Sequence, residues 1–271
     1  MATRADELLA FLNDYLVKER AEQGNGIPVQ ECAKGAHGAW QLFRALVNTR
    51  KPVAAAPEFY AAQDELLSGM IENAGIATAD DATPSTLDSR LLLWRGDIVQ
   101  LSVDAIVNAA NSRLTGCWQP NHLCVDNAIH TFAGVQLREE CTRLMATRDN
   151  APQTPGQAVV TGAYNLPSRL VIHTVGPIAN GTPKSGQDEQ LASCYESCLE
   201  AAARHGCSTL AFTGISAGVF GYPEKEAARI AISTVRTWLD AHPDANLTVV
   251  FDVFFEETES IYKSLLSIEE R

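Results

Sequence analysis

The sequence predicts a three-layer α/β sandwich with a mixed central sheet of about six strands, preceded by a small helical unit. Three observations carry this prediction. Apolar residues recur at helical spacing through the first 85 positions, and short runs rich in Val, Ile and Leu alternate with helical segments thereafter. Those runs also lack the strict alternation of a strand with one wet face, which points to a sheet covered on both sides.

Leu8, Leu9, Phe11, Leu12 and Leu16 form the first helical stripe, and Trp40, Phe43, Leu46 and Val47 the second. Pro28, Pro52 and Pro57 punctuate this region. A third helix is expected over about 58–73, with Pro57 at its start and the turn residues Asn73-Ala74-Gly75 closing it. The polar run Thr78-Ala79-Asp80-Asp81-Ala82-Thr83-Pro84-Ser85 marks a boundary, dividing the chain into a helical extension (1–85) and an α/β domain (86–271). Strands are expected at 91–94, 105–108, 158–162, 170–174, 209–213 and 248–254. Helices are expected near 127–146, 188–205, 224–241 and 257–267. Ligands of such sheets bind at the carboxyl ends of the strands.

The 271 residues, 46% hydrophobic and 20% charged, suit one medium domain with an appendage. A formal charge of −12 argues against bulk attraction to nucleic acid or to an acidic membrane. Any anionic ligand must therefore be held by local devices: backbone N–H groups, a helix N-terminus or a metal ion. No long apolar run or signal-like segment is present, and Asp6 and Glu7 do not suit a transit peptide, so a cytoplasmic location is expected. Seven scattered cysteines read as reduced thiols, free to bind metal.

Four stretches carry candidate chemistry. Gly96-Asp97-Ile98 follows the first strand. A short acid in a tight turn can accept from an exocyclic amine while the next backbone N–H donates to a ring nitrogen, which suits adenine; the same dipeptide is a common turn former. The run Val103-Asp104-Ala105-Ile106-Val107-Asn108-Ala109-Ala110-Asn111 is a buried strand ending in two amides. Asn111 can donate and accept at once, and so orient a ribose hydroxyl or a water, whereas Asn108 suits a structural role.

The third stretch, Gly116-Cys117-Trp118-Gln119-Pro120-Asn121-His122-Leu123-Cys124, offers two thiols and an imidazole within eight residues. Cys117, His122 and Cys124 are a donor set that prefers zinc, and three ligands leave the open position that catalytic zinc sites keep. By spacing alone they are equally three unrelated core residues on a loop. Asp126 would cap a helix beginning at Asn127; there its carboxylate also stands beside the metal loop, able to take a proton or orient a ligand. The fourth stretch, Gly214 to Tyr222, lies between a strand and a helix expected to start at Pro223. Its residues Ser216, Ala217, Gly218, Val219, Phe220, Gly221 and Tyr222 make a candidate phosphate cradle. Phe220 or Tyr222 can pack on a ribose and Phe254 can stack on adenine, although each also suits a core position. His130 and His173 read as core histidines, and Cys194, Cys198 and Cys207 as core or surface thiols.

Gly96-Asp97-Ile98 followed by Val-Asp-Ala-Ile-Val-Asn-Ala-Ala-Asn resembles the opening of a macrodomain. The resemblance continues, in order, through Val171-Ile172-His173-Thr174-Val175-Gly176-Pro177 and Gly214-Ile215-Ser216-Ala217-Gly218-Val219-Phe220-Gly221-Tyr222-Pro223, covering most of 90–255. Most macrodomains carry a glycine-rich loop where this chain has Cys117, His122 and Cys124. That departure resembles the zinc-dependent macrodomain subgroup, which also carries a helical N-terminal extension.

The resemblance implies a three-layer macrodomain that binds ADP-ribose, with adenine near Asp97 and Ile98 and diphosphate over the 216–222 loop. The distal ribose would lie between Asn111 and a loop holding one zinc ion. It further implies hydrolysis of ADP-ribose from mono-ADP-ribosylated protein, for which an ester on Asp or Glu is the favoured linkage, with Asn111 and Asp126 as catalytic candidates. Two other readings remain open: a reader that binds ADP-ribose without turnover, and a deacetylase of O-acetyl-ADP-ribose. The apolar faces of the extension can dock on the domain or meet a protein partner.

Overall fold

A computed structural model describes residues 2–23 and 28–268. The chain opens with four helices: α1 (Arg4–Gln23), the short α2 (Val29–Cys32), α3 (Ala39–Asn48) and α4 (Pro57–Ala74). Two two-residue strands, β1 (Ala77–Thr78) and β2 (Thr83–Pro84), occupy the polar stretch, followed by β3 (Leu91–Arg95), β4 (Leu101–Ser102) and β5 (Ala105–Ala109). Then come α5 (Val125–Ala133), α6 (Val135–Ala146), β6 (Ala158–Gly162), β7 (Leu170–Thr174), α7 (Gln187–Arg204) and β8 (Thr209–Phe212). The described chain finishes with α8 (Glu224–Ala241), β9 (Thr248–Val253) and α9 (Glu256–Leu266).

The main sheet has seven strands in the order β2-β3-β9-β8-β5-β7-β6; β1 and β4 form a separate parallel pair. Its interior is parallel from β3 to β7, with β2 and β6 antiparallel at the two edges. The strand beyond the expected six is β2, whose two residues pair with Leu92 and Leu93. Successive strand residues serve opposite cores. Leu91, Leu93, Ala105, Val107, Leu210, Phe212, Val249 and Phe251 pack with α7 and α8, while Leu92, Ile106, Ala211 and Val250 pack with α5 and α6. Both faces are thus apolar, which is why the strands show no alternation of polar and apolar residues.

The helical run expected over 127–146 is two helices. Gly134, at φ 94°, breaks it, and the Gln63 side chain from α4 accepts from the Val135 N–H at 3.0 Å. A Cβ at Gly134 would stand 2.5 Å from Gln63 Nε2, so the close approach of α4 requires glycine here. The N-terminal helices bury Leu8, Leu9, Leu12 and Leu16 against Phe43, Leu46, Phe59 and Leu67, and this cluster reaches Val135 on α6. The extension therefore docks its apolar faces on the sheet-bearing part of the chain. Among the described residues no helix is long and apolar enough to cross a membrane.

Candidate active site

The parallel strands β3, β5, β8 and β9 deliver the candidate residues at their carboxyl ends, where an open α/β sheet forms its crevice. Asp97 lies two residues past β3. Its carboxylate accepts from the Val99 N–H at 3.2 Å, and burial raises its pKa against the opposing effects of that bond and of Arg44. Ile98 is 2% exposed and packs in the core, so any ligand contact there falls to its main chain. Phe254 follows β9 directly and is 62% exposed, its ring edge-on to Phe255 at 5.2 Å.

The loop after β8 is held from behind. Ala179 and Asn180 N–H donate to the Phe220 carbonyl, and Gly181 N–H to that of Gly221. Ser216 adopts φ 63°, a left-handed conformation that a non-glycine residue holds only when its surroundings impose it. Gly176 makes room for it: a Cβ there would fall 2.0 Å from Ser216 Oγ. Val219 is 72% exposed at the tip, whereas Ala217 is half-buried and Gly218 exposed. Phe220 is half-buried against the α5–α6 core, and Tyr222 is buried with its hydroxyl on Asp188. The Tyr222 ring is thus a packing element in this structure, and the helix after the loop begins at Glu224 with Pro223 as its cap residue rather than its first position.

Between β5 and α5 runs the cysteine loop. The donor atoms of Cys117, His122 and Cys124 lie within 4.8 Å of one another, all half-buried, with Cys117 Sγ 3.5 Å from His122 Nδ1. For zinc–sulfur and zinc–nitrogen bonds of 2.3 and 2.0–2.1 Å, a tetrahedral centre separates such atoms by about 3.5 Å. Two sulfurs and an imidazole nitrogen at these distances fit a zinc ion. The two thiols share a proton: contact with Cys124 pulls Cys117 down to about 5, and contact with Cys117 pushes Cys124 up. The six described cysteines are free.

Asp126 does not cap its helix. α5 begins at Val125 with Cys124 as the cap residue, and the Asp126 carboxylate turns inward instead. Asn108 Nδ2 donates to its Oδ1 at 2.8 Å and Asn111 Nδ2 to its Oδ2 at 3.1 Å, while His130 Nε2 stands 3.6 Å away. Burial pushes this carboxyl up to about 6, opposed by the Asn108 bond and reinforced by the Cys117 charge. Asn111 also donates to the Gly116 carbonyl at 2.9 Å, so it joins the carboxylate to the start of the metal loop. His173 is fully buried between Asn108, at 3.1 Å, and Thr161 Oγ1, at 2.9 Å, as a core histidine should be. His130 is buried too, but neither ring nitrogen has a hydrogen-bond partner.

Three residues that hold this site gave no signal in the sequence. Arg44 and Asn48 come from α3, and Arg138 from α6. Arg138 is 5% exposed, donates to the Thr115 carbonyl at 2.7 Å and lies 4.4 Å from the Trp118 ring centroid.

A parallel sheet with a carboxylate, amides and metal donors at the ends of its strands defines an α/β protein with a loop-built ligand crevice. The Macro domain family model matches residues 107–231. A protein-ADP-ribose hydrolase of Treponema medium is 44% identical over 260 residues, covering 95% of this chain and 97% of the relative. Among solved structures, the Oceanobacillus iheyensis macrodomain with ADP is 37% identical at a TM-score of 0.61, covering 69% of this chain and 94% of that one. The Trypanosoma brucei macrodomain in complex with ADP-ribose is 30% identical at a TM-score of 0.63, covering 82% and 94%. The chain belongs to the macrodomain family.

Proposed function

We propose that this chain is a zinc-dependent protein-ADP-ribose hydrolase that removes ADP-ribose from mono-ADP-ribosylated proteins, cleaving the ester to an Asp or Glu side chain. The observation that carries the reading is the convergence of Cys117, His122 and Cys124 on one loop, next to a buried carboxylate held at both oxygens by Asn108 and Asn111. The relatives' name supports ADP-ribose hydrolysis, and the neighbouring structures with ADP and ADP-ribose support the ligand.

Adenine lies at Asp97 and Ile98 with Phe254 as its stacking face, and the diphosphate lies on the Ser216–Tyr222 loop. The distal ribose lies between Asn111 and the cysteine loop. Cys117, His122 and Cys124 hold the metal, and the chemistry a zinc ion supplies there is Lewis acidity toward oxygens of the distal ribose. Asp126 accepts the proton of the attacking water, Asn108 fixes the direction of its carboxylate, and Asn111 orients the ribose while holding the Gly116 carbonyl. Leu123, 88% exposed between two metal donors, faces the side from which a modified protein approaches. Free thiols at the six described cysteines fit a reducing cytoplasm.

The test is release of ADP-ribose from a substrate mono-ADP-ribosylated on an acidic residue. Metal-replete protein is compared with Cys117→Ala, after both are shown to be folded and to bind ADP-ribose. Release by the first alone supports the proposal. Binding without release by either would make the chain a reader for this linkage, and faster turnover of O-acetyl-ADP-ribose would move the substrate to that ester.

A further inference from the structure

The loop that carries the metal donors is held in place by the helical extension. Arg44 Nη2, on α3, donates to the carbonyl oxygen of His122 at 3.0 Å and to Asn127 Oδ1 at 2.9 Å. Asn127 passes the restraint on by donating to the Gln119 carbonyl at 3.2 Å. One turn along the same face of α3, the buried Asn48 accepts from the Asn121 N–H at 3.0 Å through Oδ1 and donates to Thr131 Oγ1 at 3.0 Å through Nδ2. Asn121 sits at φ 54°, a left-handed conformation, immediately before His122. An external hydrogen bond at that point fixes the direction in which the imidazole leaves the chain.

The far end of α3 closes the arrangement. Arg138 Nη1 donates to the carbonyls of Val47, Asn48 and Arg50 at 3.0, 2.7 and 3.2 Å, while its Nη2 reaches the Cys117 carbonyl at 3.4 Å. The same guanidinium thus binds the end of α3 and the first metal donor. Arg44 also lies within the field of both thiols and of Asp97, whose charges oppose the burial that lowers its own pKa. Main-chain groups at 117, 119, 121 and 122 are therefore tied to α3 directly or through one side chain.

We infer that α3 is part of the metal centre. Arg44 and Asn48 are positioning residues that set His122 against Cys117 and Cys124, so zinc affinity depends on the helical extension and not only on the loop. This rests on the zinc reading above. The extension thereby acquires a defined task, since a loop containing Pro120 and a left-handed Asn121 has few internal bonds to hold three donors in register.

The experiment uses the full chain and measures zinc affinity by competition with a chromogenic chelator, together with the visible absorption of the cobalt-substituted protein. Arg44→Ala and Asn48→Ala are each expected to weaken zinc binding about 10- to 100-fold and to shift the cobalt bands, as loss of an outer partner of a metal ligand does. Arg44→Lys keeps the charge and one bond to the His122 carbonyl; it should recover part of the affinity, and it keeps the test open if Arg44→Ala does not fold. Arg4→Ala, which removes an exposed ion pair between α1 and α4, should leave zinc affinity unchanged. Folded Arg44→Ala and Asn48→Ala proteins with zinc affinity within twofold of the parent and an unaltered cobalt spectrum would overturn the inference. A parent protein that binds no zinc would instead sink the zinc reading itself.

Discussion

Gly176→Ala isolates the cradle from the rest of the crevice. Gly176 is outside the left-handed region, so alanine suffers no backbone strain there, yet its Cβ would stand 2.0 Å from Ser216 Oγ and 2.8 Å from Ile215 Cγ2. Ordinary contact begins near 3.4 Å, so Ser216 or the strand end must give way by more than about 1 Å, an overpacking that costs about 1–3 kcal/mol. Ser216 is the left-handed residue from which the 216–222 loop departs, and its carbonyl accepts from the Tyr222 N–H at 2.9 Å. Displacement therefore travels through the loop. If the cost falls on the ligand-bound conformation, ADP-ribose affinity drops about 5- to 150-fold at 1.4 kcal/mol per decade. Titration calorimetry with ADP-ribose reads this directly. Ser216→Ala removes the oxygen and leaves only a Cβ contact at 3.3 Å, so the double variant should regain most of the lost affinity. Unchanged affinity in Gly176→Ala, or no recovery in the double variant, would refute the account of why glycine is needed.

Asp126→Asn keeps the shape but sets an amide N–H₂ against one of the two donors that now face the carboxylate, Asn108 or Asn111. It should cost about 1–3 kcal/mol in urea unfolding and abolish most ADP-ribose release while ADP-ribose binding survives. Arg138→Met leaves five carbonyls on two segments without their donor and should cost about 3–5 kcal/mol, lowering the melting temperature by about 10 °C or more. His173 supplies a pH dependence. Burial pushes its pKa from 6.5 down to about 3, so the folded chain keeps it neutral while the unfolded chain takes up a proton below pH 6.5. Its stabilising contribution is complete above about pH 6.5 and is lost as pH falls toward about 3, because the unfolded state then binds more protons. Urea titrations of metal-free protein at pH 7.5, 6 and 5 should show this slope, and His173→Gln should flatten it.

What the sequence made legible follows from how far apart the cooperating residues lie. Cys117, His122 and Cys124 fall within eight positions, so their shared loop was readable before their distances were. The covered sheet was readable as well, because burial on two faces erases the alternation that a wet face would impose. The Asp126 network was not. It depends on β5 turning Asn108 toward α5, the same face to which Ile106 points, and on α5 starting early enough that Asp126 enters its first turn and ceases to be a cap. Strand register and a one-residue shift in helix start both lie below what local pattern can resolve. Arg44 and Asn48 were the least visible, at 73 to 83 positions from the groups they bind. Within α3 they occupy ordinary helical positions, one beside Phe43 and one at the helix end, and nothing in their neighbours distinguishes them from a solvated arginine and a terminal asparagine. Their meaning arises only when Trp40 packs against Phe132 and brings α3 across the start of α5. The apolar contact that docks the extension is thus the event that completes the polar frame of the metal loop. Loosening that contact should weaken the metal site before it unfolds the domain.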